Sequence, residues 1–140
     1  MNDKGPILLV EDDKVDAMTV KRALKDIKVT NPLYQVSNGE EALEFLRNKA
    51  NPRPGIILLD LNMPKKDGRE ALKDIKSDPH LRLIPVVVLT TSKAEEDILR
   101  TYDMGVSSFI TKPVTFTALV DVMKTLSKYW FEIVELPKID

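Results

Sequence analysis

Residues 56–72 read Ile-Ile-Leu-Leu-Asp-Leu-Asn-Met-Pro-Lys-Lys-Asp-Gly-Arg-Glu-Ala-Leu. Ile56, Ile57, Leu58 and Leu59 lead without alternation into Asp60, the pattern of a strand buried on both faces of a parallel sheet and ending at a solvent-facing edge. Met63-Pro64 and Asp67-Gly68 break the chain into a turn, and Arg69 to Leu72 restart a helical pattern, so the stretch is a strand, a loop and a helix. In an open α/β sheet, ligands bind where strands end, which makes Asp60 a site candidate by position alone.

The same unit recurs on either side. Upstream, Ile7-Leu8-Leu9-Val10 reads as a strand, and Lys14 to Ile27 as a helix with Val15, Met18, Ala23, Leu24 and Ile27 as its apolar positions. A weaker strand, Leu33 to Val36, follows Asn31-Pro32; Ser37-Asn38-Gly39 forms a turn, and Ala42, Leu43, Phe45 and Leu46 mark a second helix. Downstream, a third helix from about Arg69 to Ser77 stops before Asp78-Pro79, and Pro85 introduces the doubly buried strand Val86 to Leu89, which stops at Thr90-Thr91-Ser92. A fourth helix, roughly Lys93 to Tyr102, a short strand Ser108 to Thr111, Lys112-Pro113 and a long fifth helix from Thr115 or Phe116 complete the series. Five strand-helix units pair in parallel through right-handed crossovers and are too few to close an eight-stranded barrel. The expected fold is therefore a doubly wound α/β structure with a five-stranded parallel sheet, order 2-1-3-4-5, and five helices.

The 140 residues, 43% of them hydrophobic, predict one domain spanning 1–140 with a long C-terminal helix, a short tail and no effector domain. The absence of Cys excludes disulfides and thiolate metal sites and fits a reducing cytoplasm. No cationic leader and no apolar run of ~18 residues signals export or membrane insertion. Lys plus Arg, 21, nearly cancel Asp plus Glu, 22, so the basic excess of a nucleic-acid footprint is missing.

The strand order brings distant polar residues to one edge: Glu11 and Asp12 after the first strand, Asp60 ending the third, Thr90 ending the fourth and Lys112 following the fifth. Asp13 reads equally well as a cap for the next helix. Three crowded carboxylates repel one another unless a cation neutralises them, and a hard ion such as Mg²⁺ suits an all-oxygen set. With Lys112 as a fixed positive charge and Thr90 as a hydroxyl donor, this edge could stabilise a phosphoryl group in transfer to Asp60. The only histidine, His80, reads as a surface residue without metal-ligand partners.

These residues resemble a response-regulator receiver domain, the phosphoacceptor half of two-component signalling, over essentially the whole chain. The family's pattern is an acidic pair after strand one, Asp-x-x-Met-Pro-x-x-x-Gly at strand three, Thr or Ser ending strand four, and Lys-Pro after strand five. Here these are Glu11-Asp12, Asp60 with Met63, Pro64 and Gly68, Thr90, and Lys112-Pro113. The resemblance implies a flavodoxin-like fold, with Asp60 accepting a phosphoryl group from a histidine kinase or phosphotransfer protein. It implies Mg²⁺ held by Glu11, Asp12, Asp60 and the backbone carbonyl of Asn62, a cis Lys112-Pro113 peptide, and Phe109 as switch aromatic beside the switch hydroxyl of Thr90. The Lys65-Lys66 pair, the segment Lys76-Ser77-Asp78-Pro79 and the tail Tyr129 to Pro137 are similar to single-domain regulators partnered with phytochrome-type histidine kinases.

Two other readings compete. A Mg²⁺-dependent phosphohydrolase with an aspartyl-phosphate intermediate would need a second aspartate two residues after the nucleophile, where this chain has Asn62. A receiver that binds partners without phosphorylation is at odds with the intact Asp60, Thr90 and Lys112. A homodimer through helix four, strand five and helix five is expected from the last helix. There Phe116, Leu119, Val120, Met123 and Trp130 form one stripe, while Val122, Leu126, Tyr129 and Ile133 form a second that would stand in water unless the tail from Phe131 to Pro137 folds back over it.

Overall fold

The computed structural model describes residues 5–60, 68–90, 108–111 and 115–128. Five strands, β1 (Ile7–Val10), β2 (Leu33–Val36), β3 (Ile56–Asp60), β4 (Val86–Thr90) and β5 (Ser108–Thr111), pair in parallel in the order β2-β1-β3-β4-β5. This is the sheet and the order expected. Four helices lie among the described residues against the five expected: α1 (Lys14–Asp26), α2 (Gly39–Arg47), α3 (Gly68–Ser77) and α4 (Phe116–Lys128). The helix expected over 93–102 lies outside the described residues.

Strand alternation splits the core into two layers, because successive side chains leave opposite faces of the sheet. Leu8, Val10, Ile57, Leu59, Val86 and Val88 pack with Ala42 and Leu43 of α2 and with Leu72 and Ile75 of α3. Ile7, Leu9, Ile56, Leu58, Val87 and Leu89 pack with Ala17, Val20, Ala23 and Leu24 of α1 and with Leu119 and Met123 of α4. Strands buried on both sides explain the unbroken apolar runs.

Ala23 and Leu24 of α1 and its C-cap Ile27 lie in or against the core as expected, but the start of the helix differs from expectation. Val15 and Met18 are 70% and 67% exposed, while Ala17, Val20, Ala23 and Leu24 are buried. The cap sets this phase: Asp13 is the N-cap, its Oδ1 accepting from the backbone N–H of Val15 at 2.8 Å and of Asp16 at 3.1 Å. The small Ala17 then lies against the sheet and the larger Val15 and Met18 do not. At the other end Lys28 takes a left-handed φ of 62°, and the N–H groups of Lys28 and Val29 close on the carbonyls of Lys25 and Leu24, both at 3.0 Å.

The last helix starts at Phe116 as expected, with Thr115 Oγ1 accepting from the Ala118 N–H at 3.1 Å. Its second apolar stripe is not the open surface expected. Val122 and Leu126 are partly buried against the α1 side of the core, together with Phe116 and Val120. A helix lying in a groove buries an arc wider than a single stripe, so both flanks of Leu119 and Met123 are used. Tyr129, Trp130 and Ile133, like the Lys112-Pro113 peptide, lie outside the described residues. His80 is exposed, as expected. None of the described helices is long and apolar enough to cross a membrane.

Candidate functional site

The chain leaves β1 toward one edge of the sheet and returns to β3 on β1's other side, so the ends of β1 and β3 flank the point where the winding reverses. Val10 pairs with Leu59, which places Glu11 beside Asp60. Glu11 and Asp60 are buried at 1% and 5% exposure, while Asp12 is exposed. One carboxylate oxygen from each of the three lies within 4.8 Å of those of the other two.

Local structure fixes this arrangement. The N–H of Glu11 donates to the carbonyl of Val36 at 3.0 Å, extending the β1–β2 pairing one residue past the strand. The Asp13 N–H lies 3.4 Å from Glu11 Oε2. Asp13 itself turns away to cap α1, so the acidic run divides its labour: two carboxylates at the sheet edge and one on a helix end. Three oxygen donors that close, two of them shielded from water, suit a hard divalent cation rather than a thiophilic one.

Of the other expected site residues, Thr90 ends β4 one residue beyond Leu89, the register partner of Asp60, so the backbone brings it to the same edge. Phe109 lies in β5 opposite Val88. Lys112 follows the last residue of β5, Thr111, which pairs with Thr90; Lys112 and Asn62 both lie outside the described residues.

One contact was not foreseen from the sequence. Gln35 Nε2 of the edge strand donates to the backbone carbonyl of Glu11 at 3.1 Å, and Lys21 Nζ of α1 donates to Gln35 Oε1 at 3.2 Å. The only signal in the sequence is an amide within an otherwise apolar and aromatic strand, Leu33-Tyr34-Gln35-Val36.

Comparison with known proteins agrees with this geometry. The family model described as "Response regulator receiver domain" matches residues 7–124. Response regulator Rcp1 of Synechocystis sp. is 43% identical over 135 residues, covering 94% of this chain and 92% of that protein. The probable methanogenesis regulatory protein FilR2 of Methanothrix harundinacea is 40% identical over 127 residues, covering 89% and 82%. Among solved structures, the Mn²⁺-bound form of Rcp1 superposes with a TM-score of 0.87 at 42% identity, over 96% of this chain and 99% of that one. The phosphorylated cyanobacterial phytochrome response regulator RcpA gives 0.88 at 45% identity over the same shares.

Proposed function

The chain belongs to the response-regulator receiver family, and on that premise we propose that Asp60 is its phosphoacceptor, fed by a histidine kinase or a phosphotransfer protein. The observation that carries this reading is the meeting of buried Asp60 with Glu11 and Asp12, their oxygens within 4.8 Å, at the reversal point of the sheet. In the transfer, an Asp60 oxygen bonds to phosphorus while the bond from phosphorus to the donor's imidazole nitrogen breaks, its electron pair staying on the nitrogen. Glu11, Asp12 and Asp60, with the backbone carbonyl of Asn62, would hold the divalent cation, and Mg²⁺ is the ion we assign. When bound, that cation supplies positive charge to the phosphoryl oxygens. Lys112 adds a second positive charge, Thr90 donates a hydrogen bond to the phosphoryl group, and Phe109 repacks as Thr90 moves. Output is through protein contacts, so the molecule works as a signalling protein. The kinship with Rcp1 and RcpA supports a phytochrome-type kinase as the donor.

Incubation with a small-molecule phosphodonor and Mg²⁺ should add the ~80 Da of one phosphoryl group to the intact mass. Asp60→Asn should abolish the gain, and excess EDTA should stop it. Phosphorylation that persists in either case defeats the reading.

We also propose a homodimer through the segment 93–102, β5 and α4. Partial burial of Phe116, Val120, Val122 and Leu126 leaves each some surface on α4, which supports a contact there. Dimerisation should tighten when Asp60 carries a phosphoryl mimic, and Tyr129→Glu should weaken it. Sedimentation showing a monomer at high micromolar concentration in every state would dismiss the dimer.

A further inference from the structure

We propose that Gln35 is a positioning residue for the carboxylates at the sheet edge, itself held in place by Lys21. The inference rests on the reading of Glu11, Asp12 and Asp60 as a divalent-metal site.

The last register pair of β1 with β2 is Val10 with Val36, one residue before Glu11. Glu11 still has a strand partner for its N–H, the Val36 carbonyl at 3.0 Å, but β2 ends at Val36 and the chain turns into α2, capped by Asn38. A donor for the Glu11 carbonyl comes from a side chain instead, Gln35 Nε2 at 3.1 Å. That carbonyl belongs to the planar peptide that joins Glu11 to Asp12. Holding it on one side, with the Glu11 N–H held on the other, sets the backbone from which both carboxylates project. The geometry of a metal site depends on such supporting bonds as well as on its ligands.

The orientation of the carboxamide is determined at both ends. An ammonium can only donate, so the atom facing Lys21 Nζ at 3.2 Å is the oxygen; a backbone carbonyl can only accept, so the atom facing Glu11 is the nitrogen. Both partners demand the same rotamer. Lys21 lies on α1, whose N-cap Asp13 follows Asp12 directly, so the chain forms a closed circuit from the acidic loop through the helix and Gln35 back to Glu11. Lys21 is exposed and Gln35 half-buried, so the inner bond should carry more of the effect than the outer one.

A purely structural role is the competing explanation, since Gln35 also ties an edge strand to its neighbour. Tyr34 supplies the control. It sits next to Gln35 on the same strand, and its ring lies 5.3 Å from that of Phe45. Its loss should loosen the strand without touching the Glu11 peptide.

The test is Mn²⁺ binding to the metal-free protein, read from the electron paramagnetic resonance signal of free Mn²⁺, alongside thermal unfolding in EDTA. Gln35→Met should weaken Mn²⁺ binding about two- to tenfold, the span of one net hydrogen bond. Lys21→Met should weaken it less. Gln35→Glu should also weaken it, because an oxygen then faces the Glu11 carbonyl, although its added negative charge alone would tighten a cation. Tyr34→Ala should lower the unfolding temperature and leave the affinity unchanged. Wild-type affinity in Gln35→Met, or an equal loss in Tyr34→Ala, overturns the proposal. If Asp60→Asn weakens Mn²⁺ binding while Gln35→Met does not, only the role of Gln35 falls. If the wild type binds no Mn²⁺, the metal reading fails and this inference with it.

Discussion

The face of the sheet under α2 and α3 and the face under α1 and α4 are made from the same strands, yet they end differently. On the first, the core is sealed by Leu81 and Ile84 from the segment before β4, and three half-buried apolar residues flank it: Val36, Phe45 and Leu46. On the second, seven half-buried residues among those described surround the core, four of them on α4. The alternation that sends Ile56 and Leu58 to this second face sends Asp60 there too, and Glu11 follows Ile7 and Leu9 in the same phase. Among the described residues, the face that holds the buried acids is thus the more loosely closed of the two. Packing and chemistry are divided between faces, and one strand serves both.

Adjacent positions on β3 can break this comparison. Leu58 and Leu59 are 1% and 0% exposed on the same strand, so truncation of either should cost about 2–5 kcal/mol of unfolding free energy in urea. Their effects on metal should differ. Leu58→Ala opens a cavity on the face toward which Asp60 projects and should weaken Mn²⁺ binding, while Leu59→Ala should leave it near the wild-type value. A larger metal effect from Leu59→Ala would show that the two faces are not separable.

The same division explains what could be read in the sequence. β1, β3 and β4 were legible because burial on both faces leaves unbroken apolar runs, which acids interrupt abruptly after β1 and at the end of β3; β2, half-buried and holding Gln35, gave a weaker signal. The helices were legible in extent, and α2 also in rotation, whereas the start of α1 and the breadth of the buried arc of α4 were not. In α1 Val15 and Met18 are outside, and the burial of Ala17 and Val20 follows from the Asp13 cap, whose geometry no apolar periodicity encodes. In α4 two stripes were distinguished where the core takes both flanks. Glu11, Asp12 and Asp60 were legible as a cluster because strand order alone brings them together. Gln35 was not, since its role depends on its reach to the carbonyl one residue past the last β1–β2 register pair, a fact of register and not of residue type.

A smaller effect should sharpen the comparison from the sealed side. Lys76, at the end of α3, donates through Nζ to the carbonyls of Arg82 at 3.0 Å and Ile84 at 3.2 Å, tying down the segment that closes that face. Lys76→Met keeps the apolar stem and removes the donor, and should cost about 1–3 kcal/mol. Desolvation by burial lowers the Lys76 pKa below its ordinary 10.5. Between the lowered folded value and 10.5, the unfolded chain therefore binds more protons than the folded one, and stability from this group rises with pH. Below that window the ammonium is charged in both states and the desolvation penalty is present in full; above it the penalty is gone. The wild type should thus gain on Lys76→Met as pH climbs from neutrality toward 10.5, measured as the difference in urea unfolding free energy. A gap that narrows instead would mean that the two carbonyls hold the charged form more strongly than burial disfavours it. Mn²⁺ affinity at neutral pH should be the same in both proteins, because the lost bonds lie on the face that the acids do not share.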